Sequence, residues 1–318
     1  MPDSPLVGRT AELTLLGDLL TSSDARATVL AGPAGVGKTR LGHECLLIAE
    51  RSGLKTVRVT ATRSAAQLPF GAIVPVLDAA SPNADEADDV DDQLALLRRT
   101  VAGLGEGPDG GRLVLFVDDA HLLDDASATL VHQVATTGNA IVLATVRTGE
   151  PAPDPVVALW KDGLAERVEV MGLSDEATAE FLAAVLDGPV DPATAVRFTE
   201  CCQGNALFLR ELVIGAIDDG SLQSDAGMWR LVGQLSPSPR LVEIVEARFG
   251  RLGDNERALM ELVAYGGPLG LAELALLSDP ALAEGLERRD LLASRLDGRR
   301  LRVHLAHPIY GDVVRART

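Results

Sequence analysis

The 318-residue chain has few cysteines and few lysines. Its three cysteines are Cys45, Cys201 and Cys202, and the last two are neighbours, a spacing at which disulfide geometry is hard to reach. A disulfide scaffold is therefore excluded, and we predict reduced thiols in a cytoplasmic protein. The three lysines are Lys38, Lys55 and Lys161, so arginine carries nearly all the positive charge.

Positive charge is also scarce overall. Lys and Arg number 29 against 46 Asp and Glu, a net charge of −17 at pH 7. This balance argues against a protein that coats nucleic acid or anionic membrane by bulk electrostatics. Residues 240–318 contain 12 basic and 12 acidic residues, so the whole negative excess lies before residue 240.

Long apolar runs are absent as well. No run approaches about 18 uninterrupted apolar residues, the length that a membrane-spanning helix needs. The first residues, Met1 to Ser4, are not a basic stretch followed by an apolar core, so we expect no signal peptide. We predict a cytoplasmic protein without membrane contact.

Hydrophobic residues make up 47% of the chain and charged residues 24%, which is ordinary globular composition. The length alone suggests roughly two domains. Over residues 1–172, short apolar runs alternate with helix-like periodicity, which is typical of a parallel sheet flanked by helices. The predicted strands are 27–31, 54–60, 113–117, 140–146 and 167–171, and helices are predicted at 10–21 and 39–51.

After residue 172 the pattern is helical, with helices predicted at 175–186, 192–203 and 206–218. The segment Ser236 to Pro239 is interpreted as a linker. In 240–318, several helices precede two strand-like segments around Asp297-Gly298, a strong hairpin signal. Helices followed by a hairpin indicate a winged helix. We therefore predict three domains, 1–172, 173–235 and 240–318.

One segment carries a complete motif for phosphate binding. It matches G-x-x-x-x-G-K-[ST] and consists of Gly32, Pro33, Ala34, Gly35, Val36, Gly37, Lys38 and Thr39. Such glycines let consecutive backbone N–H groups surround phosphate oxygens, and the helix that follows adds its N-terminal dipole. Lys38 is predicted to reach the β- and γ-phosphates, Thr39 to coordinate Mg²⁺, and Arg40 to complete the nucleotide site.

A second motif is the apolar run 113–117 with two acids after it. Asp118 and Asp119 would reach the carboxyl edge of the sheet, beside the phosphate loop. We predict that Asp118 holds the Mg²⁺ shell and that Asp119 polarises a water for attack on the γ-phosphate. Arg147, at the end of the run 140–146, is predicted to sense that phosphate; the alternative is a surface arginine.

Two other polar clusters are given structural interpretations. His121 and Asp124 could be metal ligands, but a polar capping network at the sheet edge is favoured. Residues 81–92 contain six acids and no base, and a solvated loop is favoured over a metal site.

Together these motifs resemble the signal-transducing (STAND) branch of the AAA+ ATPases. More narrowly, the chain resembles the N-terminal nucleotide-binding region of large ATP-binding LuxR-type transcriptional regulators. Beyond the phosphate loop, the segments that carry the resemblance are Leu6-Val7-Gly8-Arg9, Val117-Asp118-Asp119-Ala120-His121, Ala144-Thr145-Val146-Arg147, Gly204-Asn205-Ala206-Leu207-Phe208-Leu209 and His307-Pro308-Ile309-Tyr310.

The resemblance implies a nucleotide held between a sheet domain, a helical lid (173–235) and a winged helix (240–318). Val7, Gly8 and Arg9 would line the adenine, Gly204, Asn205 and Ala206 would form the lid segment, and His307 would approach the β-phosphate. Ala206 stands where the family usually has proline, so looser adenine packing is expected.

In such proteins ADP holds a closed resting form, and ATP opens it toward self-association. The signal that triggers exchange, a ligand or a regulator protein, is not identified by the sequence. Family members continue into a helical-repeat sensor and a DNA-binding helix-turn-helix, neither of which these 318 residues contain, so direct DNA binding is not expected from them.

Three functions remain open at this stage. The leading one is a slow ATPase that works as a switch. The second is a non-catalytic regulator that clamps ADP. The third is an origin-recognition or clamp-loader-like AAA+ ATPase, which should leave a basic face on its winged helix. Arginines cluster around the hairpin at positions 288, 289, 295, 299, 300 and 302, and internal contacts are the favoured explanation for them.

Overall fold

A computed structural model describes residues 5–22, 24–74, 76, 112–298 and 300–317. The predicted acidic loop at 81–92 lies outside these residues. The chain divides into two compact units. The first is Arg9–Met171, and the second combines Met1–Gly8 with Gly172–Thr318.

The first unit is built on a five-stranded sheet in which all neighbouring strands are parallel. Its order is β2-β3-β4-β1-β5. The strands are β1 (Ala27–Gly32), β2 (Lys55–Thr60), β3 (Leu113–Asp118), β4 (Ala140–Arg147) and β5 (Ala165–Glu169). This confirms the predicted α/β class. The fifth strand begins two residues before its predicted start, because Ala165 aligns with Ala27 of β1.

The central strands are apolar along their length because the sheet is covered on both faces. Every residue of β1 and β3 is buried. The flanking helices are α1 (Thr10–Thr21), α2 (Lys38–Arg51), α3 (Asp125–Thr137) and α4 (Asp154–Lys161). Short 3-10 turns lie at Ala65–Gln67 and Ala120–Leu122.

The second unit starts with three helices and a hairpin. They are α5 (Asp175–Val185), α6 (Pro192–Cys202), α7 (Ala206–Asp218), β6 (Leu222–Asp225) and β7 (Met228–Leu231). The helix starts follow from capping side chains. Ser174 accepts from the backbone N–H of Ala177 at 3.1 Å, and Asn205 accepts from that of Phe208 at 3.1 Å, which satisfies groups that a helix start leaves unpaired.

The second unit continues with further helices and a three-stranded sheet of order β8-β10-β9. The elements are α8 (Pro239–Phe249), α9 (Asp254–Gly266), β8 (Leu269–Gly270), α10 (Leu271–Leu277), α11 (Pro280–Arg288), β9 (Leu292–Asp297), β10 (Arg300–Leu305) and α12 (Pro308–Arg317). The hairpin predicted around Asp297-Gly298 is thus present as β9 and β10.

One hydrophobic cluster runs through the second unit. It contains Leu182 and Leu209 from the first helices and Val245, Leu286 and Ile309 from the later elements. The end of the predicted linker begins α8, because Ser238 caps it and Pro239 is its first residue. The division between 173–235 and 240–318 stays a prediction. Within the described part of the chain, no helix combines the length and apolar character needed to cross a bilayer.

Candidate functional site

The phosphate loop joins the end of β1 to the start of α2, as the motif predicts. Gly37 has φ 102° directly before α2, in the left-handed region that favours glycine. Gly32 is required for a different reason, since a Cβ there would overlap the carbonyl oxygen of Val170. The loop therefore adopts a backbone conformation that requires glycine at positions 32 and 37.

Lys38 is the first residue of α2 and is almost closed to solvent, with 6% of its surface exposed. Its Nζ donates to the carbonyl oxygens of Gly32 at 2.8 Å and Pro33 at 2.7 Å. Burial lowers the pKa of Lys38 to about 8, against the opposing influence of Asp119. The ammonium is thus held inside the loop as a charge that gains from an anionic partner.

Asp118 ends β3 and is buried next to two hydroxyl groups. Its Oδ1 accepts from Thr39 Oγ1 at 2.9 Å and from Thr145 Oγ1 at 2.8 Å. The hydroxyl of α2 and the carboxylate of β3 therefore meet at one edge of the sheet. The other oxygen, Oδ2, lies 3.6 Å from Nη2 of Arg58, a β2 side chain whose guanidinium is 6.0 Å from the Phe116 ring centre.

Asp119 follows β3 with φ 54°, and Thr145 Oγ1 accepts from its backbone N–H at 2.7 Å. Its carboxylate faces Arg147, with 3.4 Å between Nη2 and Oδ2. Arg147 also contacts Glu150, with Nη1 3.2 Å from Oε1. The predicted water-polarising acid and the predicted sensor are therefore in contact with each other.

His121 is buried beside this cluster. Its Nε2 lies 3.3 Å from Glu150 Oε2, and its Nδ1 lies 3.9 Å from Asp119 Oδ1. Burial lowers the pKa of His121, although the two carboxylates oppose that shift. Asp124 accepts from the backbone N–H of Ser127 at 2.9 Å and starts α3. The capping role fits Asp124, and within the described residues no group of three metal-binding side chains is found.

The charges at this edge of the sheet balance. Three cations, Lys38, Arg58 and Arg147, lie near three carboxylates, Asp118, Asp119 and Glu150. A nucleotide would add several negative charges to this set. A divalent cation held by the Thr39 hydroxyl and the Asp118 carboxylate would offset part of them, and hard oxygen donors of this kind suit Mg²⁺.

The loop is also tied to other parts of the first unit. Arg9 is buried, and its Nη2 donates to the carbonyls of Val36 at 2.8 Å and Met171 at 2.7 Å. Arg9 therefore holds the backbone of the phosphate loop. Arg40, on the first turn of α2, pairs with Glu44 at 3.6 Å.

The remaining predicted residues lie in the second unit. Gly8 has φ 63°, and a Cβ on it would stand 2.5 Å from the Cβ of Ala177. Val7 packs against the hydrophobic cluster of the second unit. Gly204 accepts from the N–H of Leu173 at 2.8 Å, and Asn205 caps α7, whose first residue is Ala206.

His307 lies close to this segment of the second unit. Its Nε2 is 2.9 Å from the carbonyl oxygen of Cys202, and its ring packs edge-on against Phe208 with 4.8 Å between centres. Burial lowers the pKa of His307. The structure thus brings His307 beside Gly204, Asn205 and Ala206, whereas its predicted approach to a phosphate stays a prediction.

Sequence reasoning missed Arg58, Thr145 and Glu150 as members of the site. Thr145 carries a signal in hindsight, since it is the polar residue inside the apolar run 140–146. Arg58 reaches the site because β2 lies next to β3 with Thr60 beside Asp118. That neighbour relation is a property of the strand order and cannot be seen in the local pattern.

Residues 5–146 match the family model of the AAA ATPase domain. This part of the chain is therefore similar to an AAA ATPase domain. The matched range includes the phosphate loop and the acids Asp118 and Asp119. No curated protein matches the chain.

The chain is also similar to several solved structures. The ORC1 protein of Aeropyrum pernix, solved in complex with DNA, is 16% identical, with 99% of this chain and 95% of that chain covered and a TM-score of 0.51. A RuvB variant of Thermotoga maritima is 18% identical over 93% and 92% of the two chains, with a TM-score of 0.45. Domain III of the Thermotoga maritima replication initiation protein DnaA is 12% identical over 70% and 90%, with a TM-score of 0.44.

Proposed function

We propose that the chain binds ATP and ADP with Mg²⁺ and hydrolyses ATP slowly. The observation that carries this proposal is the convergence of three groups at one sheet edge. They are the buried ammonium of Lys38, the pair of Thr39 and Asp118 at 2.9 Å, and the pair of Asp119 and Arg147 at 3.4 Å. A chance glycine-rich turn would not bring the other two pairs to the same place.

Each group has a role in phosphoryl transfer. Lys38 exchanges its backbone carbonyl partners for phosphate oxygens, which are stronger acceptors for an ammonium. Thr39 and Asp118 would hold Mg²⁺, whose chemical contribution is to neutralise charge on the phosphates. Asp119 accepts a hydrogen bond from the attacking water and orients it toward the γ-phosphate.

The contact between Asp119 and Arg147 supports a low turnover and a switch. Arg147 already has two carboxylate partners, Asp119 and Glu150. A γ-phosphate is a further anionic partner for the same guanidinium, so its arrival would weaken the hold on Asp119. Arg147 would then distinguish ATP from ADP, and the acid would be released only in the ATP state.

The second unit is proposed to supply a helical lid and a winged helix. What supports this proposal is the run from α8 to β10, in which helices precede the hairpin and β8 adds a third strand. By resemblance to the STAND-type LuxR regulators, ADP would keep the protein at rest and ATP would promote self-association. Transcription would be regulated through segments beyond these 318 residues, in response to a signal that the sequence does not identify.

Two measurements on the purified chain test this function. The first identifies the nucleotide released on denaturation, expected to be ADP. The second follows single-turnover hydrolysis of bound ATP in the wild type, in Asp119→Asn and in Asp162→Asn, a control acid exposed at the end of α4. We expect a loss of at least tenfold for Asp119→Asn and no change for Asp162→Asn. Equal hydrolysis rates in the wild type and both variants would show that Asp119 does not orient the attacking water.

The same experiment separates the ADP clamp from the switch. A clamp retains ADP tightly, and its wild type shows no hydrolysis of ATP in a single turnover. The switch also retains ADP but converts ATP at a rate that depends on Asp119. Absence of any bound or bindable nucleotide would contradict both functions.

A DNA-associated AAA+ function is the second candidate. It is favoured by the fold shared with ORC1 and by the arginines around the hairpin. Arg289 pairs with Glu256 and Arg302 with Asp297, whereas Arg288, Arg295 and Arg300 have no ion pair among the described residues. Binding of random duplex DNA that weakens steeply with salt would support this candidate. No binding at low salt would exclude it.

A further inference from the structure

The second unit contains a cavity that is separate from the phosphate loop. It opens between α9, α12 and the hairpin β9–β10 and has a volume of about 320 Å³. Pockets for small molecules usually measure about 300–1,000 Å³. Its size therefore suits a compact ligand.

The hairpin contributes one guanidinium and one imidazole to the lining of this cavity. Arg295 of β9 and His304 of β10 both line it, because Arg295 pairs with Arg302 and His304 with Ala293, which places both side chains on one face. Within the part of the chain that the structure describes, the Arg295 guanidinium makes no ion pair or side-chain hydrogen bond. A guanidinium offers a planar fork of donors that matches a carboxylate.

A second arginine with a fixed position, Arg315, also lines the cavity. Nη1 of Arg315 donates to the carbonyl of Ala264 at 2.6 Å, and Nη2 donates to Asp312 at 2.8 Å. A Cβ on Gly311 would stand 3.1 Å from both terminal nitrogens of Arg315. The absence of a side chain at Gly311 therefore leaves room for the guanidinium. Since Asp312 balances Arg315, Arg295 is the charge that an anion would compensate.

Apolar side chains form a further part of the lining. Val263 of α9, Leu305 of β10 and Pro308 of α12 contribute to it, together with Gln203 at the end of α6. The lining therefore combines the guanidinium of Arg295 with several apolar side chains. A ligand that satisfies both has one anionic group and a hydrophobic body.

We propose that this cavity is a binding site for a small organic monocarboxylate. The carboxylate pairs with Arg295 on the His304 side, and the hydrophobic body lies against Val263 and Leu305. The ligand also contacts Gln203, which directly precedes Gly204. This site is independent of the nucleotide chemistry proposed for the first unit.

Titration of the whole chain with benzoate, followed by NMR of the histidine rings, tests the site. The chain has five histidines, and His304→Gln assigns the relevant signal. We expect a saturable shift of the His304 resonance with benzoate. Benzamide, which has the same shape without the charge, should bind at least tenfold more weakly. Inorganic phosphate, which lacks the hydrophobic body, should also bind more weakly than benzoate.

Variants make the assignment specific. Arg295→Gln should weaken benzoate about tenfold, and Gly311→Ala should weaken it by displacing Arg315. Arg230→Gln is the matched control, because it removes the same charge from an exposed strand position. Equal affinity for benzoate and benzamide, tighter binding of phosphate, no saturable shift, or an equal loss in Arg230→Gln and Arg295→Gln would each overturn the proposal.

Discussion

Lys38 places a positive charge where little water reaches it. Burial lowers its pKa from 10.5 to about 8, so the folded protein holds this proton less tightly than the unfolded chain does. Between pH 8 and 10.5 the unfolded state binds more protons at this site, and its contribution to folding stability rises with pH. Below pH 8 Lys38 stays protonated, and the free-energy cost of burying its charge is offset when a phosphate binds.

We therefore predict that nucleotide affinity falls as the pH rises above about 8. ADP binds the protonated lysine, so the apparent Kd should be flat from pH 7 to 8 and should weaken progressively from pH 8 to 9.5. Lys38→Arg removes this dependence, because guanidinium stays charged throughout the range. Isothermal titration calorimetry at several pH values measures the apparent Kd for ADP in both proteins. A flat profile in the wild type would show that Lys38 keeps its proton.

Arg58 contacts Asp118, a proposed Mg²⁺ ligand, from the neighbouring strand β2. Its guanidinium stands 3.6 Å from Asp118, where it competes with Mg²⁺ for the same carboxylate. The arginine is half exposed, so the interaction is worth at most about 1 kcal/mol. Arg58→Gln should strengthen Mg²⁺-dependent ADP binding by roughly two- to fivefold.

The control for Arg58→Gln is Lys55→Gln. It removes a charge of the same sign from an exposed position on the same strand. We expect the Mg²⁺ dependence of ADP binding to be unchanged in it. If both variants shift that dependence equally, the effect is one of overall charge and not of the contact with Asp118.

A site residue can be predicted from the sequence when its partners lie close to it along the chain. Lys38 and Thr39 lie in one contiguous motif, and Asp118 and Asp119 follow an apolar run that marks a strand end. Arg58 acts across a strand boundary, and no local pattern encodes that β2 and β3 are neighbours. The sequence therefore predicts the groups that bind phosphate better than the groups that restrain them.

At the level of elements, apolar runs predict the strands, and a capping serine predicts the start of one helix. Strands β1, β3 and β4 are found where they are expected because they are buried on both faces and need no alternation. The helix from Asp175 begins after Ser174, whose hydroxyl caps it. Strand β5 is shifted because its residues are partly exposed, so pairing with β1 sets its limits more than its own apolar pattern.

The start of α3 gives a prediction of stability. Asp124 accepts from the backbone N–H groups of Ser127 at 2.9 Å and Phe70 at 3.2 Å. Asp124→Ala should lower the free energy of unfolding by about 1–2 kcal/mol, whereas Asp124→Asn keeps an acceptor and should cost only a few tenths. Urea unfolding measures both. Addition of a chelator to the nucleotide-free wild type should leave its transition unchanged, whereas a metal held by Asp124 would make that transition shift.

At the scale of the whole molecule, negative charge and self-association oppose each other. The net charge of −17 favours monomers at low salt, since like charges repel. If the proposed switch is correct, bound ATP must overcome this repulsion, and the gain should be greater at physiological salt than at low salt.

We predict that Asp119→Asn with ATP and Mg²⁺ elutes at a larger mass than the same variant with ADP. This variant retains Lys38 and Thr39 but lacks the acid proposed for hydrolysis, so the ATP state persists during the measurement. Size-exclusion chromatography with light scattering gives the mass. Lys38→Ala should show a single mass under both conditions. Identical masses for Asp119→Asn with ATP and ADP would contradict the switch.

The position of β1 in the sheet has a consequence for synthesis. β1 pairs with β4 and β5, which end at Arg147 and Glu169, and not with β2, the strand that follows it in the chain. At about 5–20 residues per second, translation reaches Glu169 on the order of ten seconds after Gly32. During that interval an apolar strand is on the ribosome without its partners. The phosphate loop is therefore synthesised early but folds only after β4 and β5 are available. Until then its apolar strand is exposed, as in the segments that chaperones bind on nascent chains.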